Sequence, residues 1–281
     1  MHHNTWAVIV TYNSQQVKLA KILSILHQQC QIVIADNSDS KSSASEIKKL
    51  VINYGAVYLP MEGNVGIAKA QNRAIECAWS KGGEYVLLLD DDSIPSDHIV
   101  ENFHQAVGKF SEQQVILGAR IVDYQGIEIS NSKLGSSDYV QCRDLNSSGS
   151  FIHKRIFEEV GYFREELFID CVDFEWGWRA RRLGYDIIII SDATLQHSLG
   201  IGKSKGLRIP SPIRHYYQYR NVLYLIFDPV APVAWKISQV FKLPIKIIAV
   251  VFLAPDALIR IKFSLLGIRD FVKKKTGKLI C

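Results

Sequence analysis

The chain has 281 residues, 48% apolar and 22% charged, with a formal net charge of +5. That is enough for one large domain, or a domain with an appendage, and for a full core. Five scattered cysteines (Cys30, Cys77, Cys142, Cys171, Cys281) show no paired spacing, which excludes a disulfide framework or cysteine zinc site and suits a reducing cytosol.

The charge is uneven. Residues 236–281 carry ten Lys/Arg and two acidic residues, a net of +8, which leaves −3 for the rest. Such a split suggests a separate job for the tail, against nucleic acid or an anionic membrane surface. At the other end, Met1-His2-His3-Asn4-Thr5 runs directly into a strand candidate, without the charged and apolar regions of a signal peptide.

Trp6-Ala7-Val8-Ile9-Val10 reads as a buried strand, and Thr11-Tyr12-Asn13-Ser14 ends it. A helix follows from Gln15 to about Gln29, then a second strand, Gln31 to Ala35, which exits into Asp36-Asn37-Ser38-Asp39-Ser40. Strand, helix and strand with polar exits is the signature of a parallel sheet with a ligand edge. A helix near Ala44–Asn53 and a strand at Ala56–Leu59 extend it.

Glu62-Gly63-Asn64-Val65-Gly66 leads into an alanine-rich helix reaching about Trp79. Its N-terminus is a potential anion site. Asn64, Ala68 and Asn72 share a face if the helix begins early. Helix–sheet packing explains Ala68 and Ala70 as well. There is no G-x-G-x-x-G and no P-loop lysine, so dinucleotide and P-loop readings lack their fingerprints.

Tyr85-Val86-Leu87-Leu88-Leu89 reads as a buried strand that runs into Asp90-Asp91-Asp92. Adjacent carboxylates repel one another unless a cation sits among them, and hard oxygen donors suit Mg²⁺ or Mn²⁺. A solvated acidic turn is the plain alternative. Ile94-Pro95-Ser96-Asp97 opens a helix to about Phe110, and Val115–Val122 is a strand. Residues 130–148 form a polar loop or irregular hairpin. Gly149 before Ser150 permits close backbone approach to a ligand, or makes a plain bend.

In Phe168-Ile169-Asp170-Cys171-Val172-Asp173-Phe174-Glu175-Trp176-Gly177-Trp178, Asp173 can cap a helix ending at Gly184. Phe168, Phe174, Trp176 and Trp178 are many for a surface cap, and aromatic walls raise a carboxylate's pKa toward use as a base. Tyr185–Ile190 is a further strand, and His197 follows it as a structural residue or a ligand. Ile213–Asn221 begins a helix whose Arg214, His215 and Arg220 could meet a diphosphate or an anionic acceptor, or form a solvated face over core tyrosines. From Val230 on, apolar residues alternate with Lys and Arg. The longest charge-free run, Ile247–Pro255, has nine residues, short of the ~20 of a spanning helix. Amphipathic helices on a membrane, or a dimerisation element, fit this pattern.

Val8-Ile9-Val10-Thr11-Tyr12-Asn13, Asp36-Asn37-Ser38, Asn64-Val65-Gly66, Asp90-Asp91-Asp92 and the Asp173 region, in this order, resemble a family 2 glycosyltransferase over about residues 6–225. Gly149-Ser150, Phe168-Ile169-Asp170, Val172-Asp173 and Glu175-Trp176 are similar to rhamnosyltransferases that use dTDP-L-rhamnose in O-antigen or other surface-polysaccharide assembly. The resemblance implies an α/β fold of the GT-A type, Rossmann-like, with a mostly parallel central sheet and flanking helices. That domain would span residues 1–225, with a basic amphipathic helical tail over 226–281.

Position by position, the resemblance implies Thr11, Tyr12 and Asn13 against the nucleotide, with Asp36 on its base. Asn64, Gly66, Lys69 and Asn72 would line the diphosphate and sugar end, with Gly149 and Ser150 also at the donor. Asp90 would lie near the ribose and the metal. Asp92 would ligate Mg²⁺ or Mn²⁺ with Asp90 and His197, and Asp91, the variable middle residue, would also lie at the donor. Asp173 matches the catalytic base, although Val172 stands where many relatives have Glu; a slipped match would make Asp170 or Glu175 the base. The implied reaction is inverting transfer to a lipid-linked saccharide at the inner face of the cell membrane. The enzyme would be cytoplasmic and peripherally attached, a possible homodimer, with no nucleic acid partner. A transferase using a UDP- or GDP-linked sugar, a sugar-phosphate nucleotidyltransferase and a non-catalytic scaffold are the alternatives.

Overall fold

The computed structural model describes residues 2–110, 114–129, 133–134, 137–197, 203–204, 207–208 and 210–280. Part of the expected 130–148 loop, Ser198–Gly200 and Cys281 lie outside the described residues.

The first half alternates strand and helix: β1 (His2–Thr11), α1 (Gln16–Leu26), β2 (Cys30–Asp36), α2 (Lys41–Asn53), β3 (Val57–Pro60), α3 (Ile67–Ser80) and β4 (Tyr85–Asp90). Then come β5 (Ser93–Pro95), α4 (Ile99–Val107), β6 (Val115–Val122), β7 (Tyr139–Cys142), β8 (Ser150–His153), α5 (Lys154–Val160), a 3₁₀ turn at Glu165–Leu167, α6 (Val172–Arg182) and β9 (Asp186–His197). A two-residue pair, β10 (Lys203–Ser204) with β11 (Leu207–Arg208), precedes α7 (Pro212–Phe227), α8 (Val233–Leu253) and α9 (Ala257–Val272).

The main sheet runs β3-β2-β1-β4-β8-β6-β9-β5, with β7 on β9. Its first four strands are parallel, as the strand–helix–strand pattern requires. Beyond β4 it is mixed: β8 is antiparallel to β4 and β6, while β6 and β9 run parallel. Central strands such as β4 are apolar throughout because both faces are covered. One face packs Val8, Val86 and Leu88 against α3 and Trp176; the other packs Ile9, Leu87 and Leu89 against Leu23 of α1 and Phe103 of α4.

Two boundaries differ from expectation. Ser93–Pro95 is a strand, and its helix starts only at Ile99. The strand expected at Tyr185–Ile190 continues to His197, because a bulge after Ile190 shifts its register on β6. Bulges re-aim a strand at sheet edges and next to sites. Here the extension pairs β9 with β5, setting His197 opposite Ser93.

The C-terminal segment is tied to the rest through α7. Tyr216 donates to Asp270 at 3.0 Å, and Gly277 N–H donates to Glu166 O at 2.7 Å. Arg260 is buried and donates to Pro210 O and Pro255 O.

Candidate active site

Thr11, Asp36 and Asp90 are the last residues of three adjacent parallel strands, and Thr11 pairs with Asp36 in register. This carboxyl edge is where open α/β sheets bind ligands. The edge has two carboxylate neighbourhoods.

The first centres on Asp36, which is buried. Its Oδ1 accepts from Thr11 Oγ1 (2.9 Å), Ser38 N (3.1 Å) and Ser38 Oγ (2.6 Å), and its Oδ2 from Tyr58 OH (2.8 Å). Burial and this bond push the Tyr58 phenol well above its ordinary value. Nearby, Tyr12 OH donates to Asp39 at 2.9 Å, while Asn13 N–H donates to Ser38 Oγ at 3.0 Å. Asp36, Ser38, Asp39, Tyr58 and Gly63 line a cavity of about 400 Å³. A planar base with polar edges suits such a wall.

The second gathers Asp90, Asp91, Asp92, Asp170 and Asp173. Burial, then the charges of Asp92, Asp91 and Asp173, push Asp90 up to about 7, against relief from Arg214. Asp91 is raised by burial, although Ser14 Oγ donates to it. Asp92 Oδ1 lies 3.5 Å from His197 Nδ1, which is 3.0 Å from Ser93 Oγ. Ser148 Oγ donates to Ser93 Oγ at 3.2 Å and accepts from Asp90 N–H at 3.1 Å. One hydroxyl chain thus links the ends of β4 and β9. Among the described residues, no three His, Cys, Asp or Glu side chains close on one point as a ready metal cage.

Asp173 stands apart from its acidic neighbours. Burial pushes it up to about 6, against bonds from backbone N–H groups, chiefly that of Phe174. Among the described residues no cation pairs with it directly; Arg214 reaches it by charge while bonding Asp170. Glu175, only 1% exposed, is instead gripped by Arg179 at 2.8 and 3.0 Å, with Arg164 at 3.8 Å. Asp173, Phe174, Asp144, Asn146, Ser148 and Ile189 line a cavity of about 540 Å³.

The loop that delivers Asp173 is unusual. Phe168, Asp170 and Cys171 have φ of 65°, 65° and 67°, a region that costs non-glycine residues roughly 1–3 kcal/mol each. Helix α7 holds it there. Asn221 Nδ2 donates to the carbonyls of Leu167, Ile169 and Asp170 at 2.8, 2.8 and 3.0 Å. Buried Arg220 donates to Leu167 O at 3.1 Å and Gly277 O at 2.6 Å.

A model of glycosyl transferase family 2 matches residues 6–163. The chain belongs to this family. It is 32% identical to the dTDP-rhamnosyl transferase RfbF of Shigella flexneri over 85% of this chain and 86% of that protein. Among solved structures, S. aureus TarS 1-349 in complex with UDP-GlcNAc aligns with a TM-score of 0.61 at 16% identity, over 96% of this chain and 81% of that one. The mannosyltransferase PcManGT from Pyrobaculum calidifontis, in complex with GDP-Man and Mn²⁺, aligns at 0.59 and 15%, over 98% of this chain and 76% of that one. Against the longer S. aureus TarS chain, this one spans 41% of the length. The fold is GT-A and the protein is a glycosyltransferase.

The structure reassigns several residues of this glycosyltransferase. Cys171, in the left-handed region, precedes α6, so Asp173 sits in the first turn rather than capping it. Asn64 precedes α3 and accepts from Gly66 N–H, so it does not share a face with Asn72. Buried Asn72 is spent on Phe163, through O and N–H at 2.9 and 3.0 Å. Gly66 (φ 91°) makes room for Phe168: an added Cβ would lie 2.6 Å from that ring. Gly149 (φ 89°) makes room for Leu195, again at 2.6 Å, and Ser150 donates to Asn146 O. These close approaches serve the protein's own packing. Lys69 is half-buried on α3.

The aromatic wall also divides. Trp176 is core, tilted against Phe157 and Phe163; Phe168 stacks on Tyr217; only Phe174 of these lines the cavity with Asp173. Of the α7 cations, Arg220 serves the loop and His215 lies 3.1 Å from Arg260, which leaves Arg214 facing the carboxylates. Tyr58, Asp39 and Asn221 escaped sequence reasoning. A polar exit after β2 hinted at Asp39; nothing local marks Asn221, whose partners lie some 50 residues away.

Proposed function

We propose that the protein is a metal-dependent inverting transferase. It moves L-rhamnose from dTDP-L-rhamnose to a hydroxyl of a lipid-linked saccharide in surface-polysaccharide (O-antigen) biosynthesis. The observation that carries the reaction is the contrast at α6. Asp173 faces a cavity, has no direct cation partner among the described residues and is pushed up to about 6, while Glu175 and Asp170 are both engaged by arginines. A carboxylate of that pKa is a competent base near neutral pH. The likeness to RfbF supports rhamnose as the sugar.

The cavity by Asp36 holds the nucleoside; Thr11 and Tyr12 brace it from outside, through their bonds to Asp36 and Asp39. Hard oxygen donors at Asp90 and Asp92, with His197 beside Asp92, suit a divalent cation, and such a charge would offset the burial and the neighbouring carboxylates that lift Asp90. Bound there, Mg²⁺ or Mn²⁺ supplies Lewis-acid stabilisation of the departing diphosphate. Asp173 takes the acceptor hydroxyl's proton as that oxygen bonds to the anomeric carbon. The bond from that carbon to the diphosphate oxygen breaks on the opposite face, and its electron pair leaves with the nucleoside diphosphate. One displacement inverts the centre, so a β-linked donor gives an α-L-rhamnoside. Arg214, near Asp90 and Asp173, helps balance charge between donor and base. The tail holds the enzyme peripherally at the inner face of the cell membrane.

A panel of dTDP-, UDP- and GDP-sugars, read by thermal stabilisation with and without Mn²⁺, tests this reading. dTDP-L-rhamnose should stabilise most, and only with the ion. A larger shift from a UDP- or GDP-sugar moves the donor to that class; no shift from any sugar refutes the reading.

A further inference from the structure

Helix α8 carries an apolar face that none of the described residues covers. Val233, Ile237, Phe241, Ile245, Ile248 and Phe252 are each 55–75% exposed, and Gln239 is the only buried residue of the helix. With Val240 and Val251 they fall on one side, an arc of roughly 140° at helical spacing. Lys236 stands at one border of that arc and Lys242 at the other, with Lys246 beyond it. The helix contains no Asp or Glu. Among the described residues, no helix is long and apolar enough to cross a membrane.

Charge selects the occupant. A second copy pairing through this face would set lysine borders against lysine borders. Anionic headgroups complement them, and lysine stems can lie along the apolar boundary with the ammonium in the headgroups. The tail's net +8 adds long-range attraction to such a surface.

The other side of the same helix meets the candidate active site. Trp235 packs on Trp178, with ring centroids 4.8 Å apart, and Phe174 and Cys171 border that cluster. Lys246 is near enough to Cys171 and His215 for its charge to act on both.

We propose that the Val233–Phe252 stripe of α8 lies in the headgroup boundary of an anionic bilayer, and that this holds the mouth beside Asp173 at the membrane surface. The inference rests on the reading of a lipid-linked acceptor and deepens it: a hydroxyl tethered to the bilayer meets the base without leaving the surface.

Flotation of the full chain with vesicles tests it, using phosphatidylcholine with and without phosphatidylglycerol. The native protein should float with the anionic vesicles and far less with the neutral ones. The double variant Ile245→Glu/Ile248→Glu should lose at least about tenfold in partitioning. Lys236→Gln and Lys242→Gln should each lose roughly fivefold. Because all four side chains are off the core, unfolding temperatures should stay at the native value and certify folding. Native protein that stays in the aqueous layer, or a glutamate variant that floats equally, overturns the proposal. So does a native dimer that the glutamate variant converts to monomer, since a second copy would then own the stripe. The nucleotide-sugar panel on the same samples separates the two readings. Flotation without donor stabilisation sinks the transferase reading and keeps the docking face; the reverse sinks the docking face alone.

Discussion

The two carboxylate neighbourhoods at the sheet edge differ in how complete they are. Asp36 receives four hydrogen bonds from Thr11, Ser38 and Tyr58, and its corner is finished before any ligand arrives. Asp90 and Asp173 are half-buried near other carboxylates, with Arg214 acting on them only by charge, and loss of hydration chiefly pushes both up, to about 7 and about 6. Buried charge without a partner is costly unless a proton or a cation compensates it. The difference teaches a division of labour. The nucleoside end is preorganised for shape, and the transfer end keeps unmet charge for chemistry.

Substitutions at the transfer end should therefore remove activity, and those at the nucleoside end should mainly weaken binding. The largest effect belongs to Asp173→Asn. Transfer should fall by about 10²–10⁴-fold, with donor binding by calorimetry unchanged. Next comes Asp92→Asn, where loss of a hard oxygen donor should cost roughly a hundredfold in turnover. It should also raise the Mn²⁺ needed for half-maximal rate in a metal titration.

Asn221→Ala breaks the comparison from another side, because it removes the side-chain donor to the Ile169 and Asp170 carbonyls and one of the donors to Leu167 O, without touching either corner. Unmade buried hydrogen bonds cost about 1–3 kcal/mol. Denaturant unfolding should show that loss, and turnover should fall more than donor affinity as the Asp173 loop loosens. The smallest effect is expected at Tyr58→Phe. Asp36 keeps three of its four donors, so stability should drop by about 1 kcal/mol, and transfer at saturating donor should be near native.

Much of this was legible in the sequence for a physical reason. Parallel strands covered on both faces need apolar runs, so Trp6–Val10, Ile32–Ala35 and Tyr85–Leu89 announce themselves, and the polar exits at Thr11, Asp36 and Asp90 mark the ligand edge. Val115–Val122 was delimited as the structure has it. Less legible were features fixed by contacts between distant segments. The bulge after Ile190, which carries His197 to Ser93, leaves no local mark. Gly149 leaves a ligand approach or a plain bend open, and Leu195 occupies the room beside it, as Phe168 does beside Gly66. Asp173 and Glu175 look alike as letters, and only the placement of Arg179 and Arg164 separates a free carboxylate from a paired one.

The central claim is that Asp173 works as the base from its raised pKa, and a pH profile of kcat/KM for the acceptor tests it most directly. A raised carboxylate is active only when ionised, so activity is present above its pKa and lost below it. With saturating Mn²⁺ to hold Asp90 ionised, kcat/KM should be level above pH 7. It should fall about tenfold per pH unit below about 6, and the residual rate of Asp173→Asn should lack that limb. A native rate that stays level down to about pH 4.5, below the shifted value and near that of an ordinary carboxylate, would contradict the account.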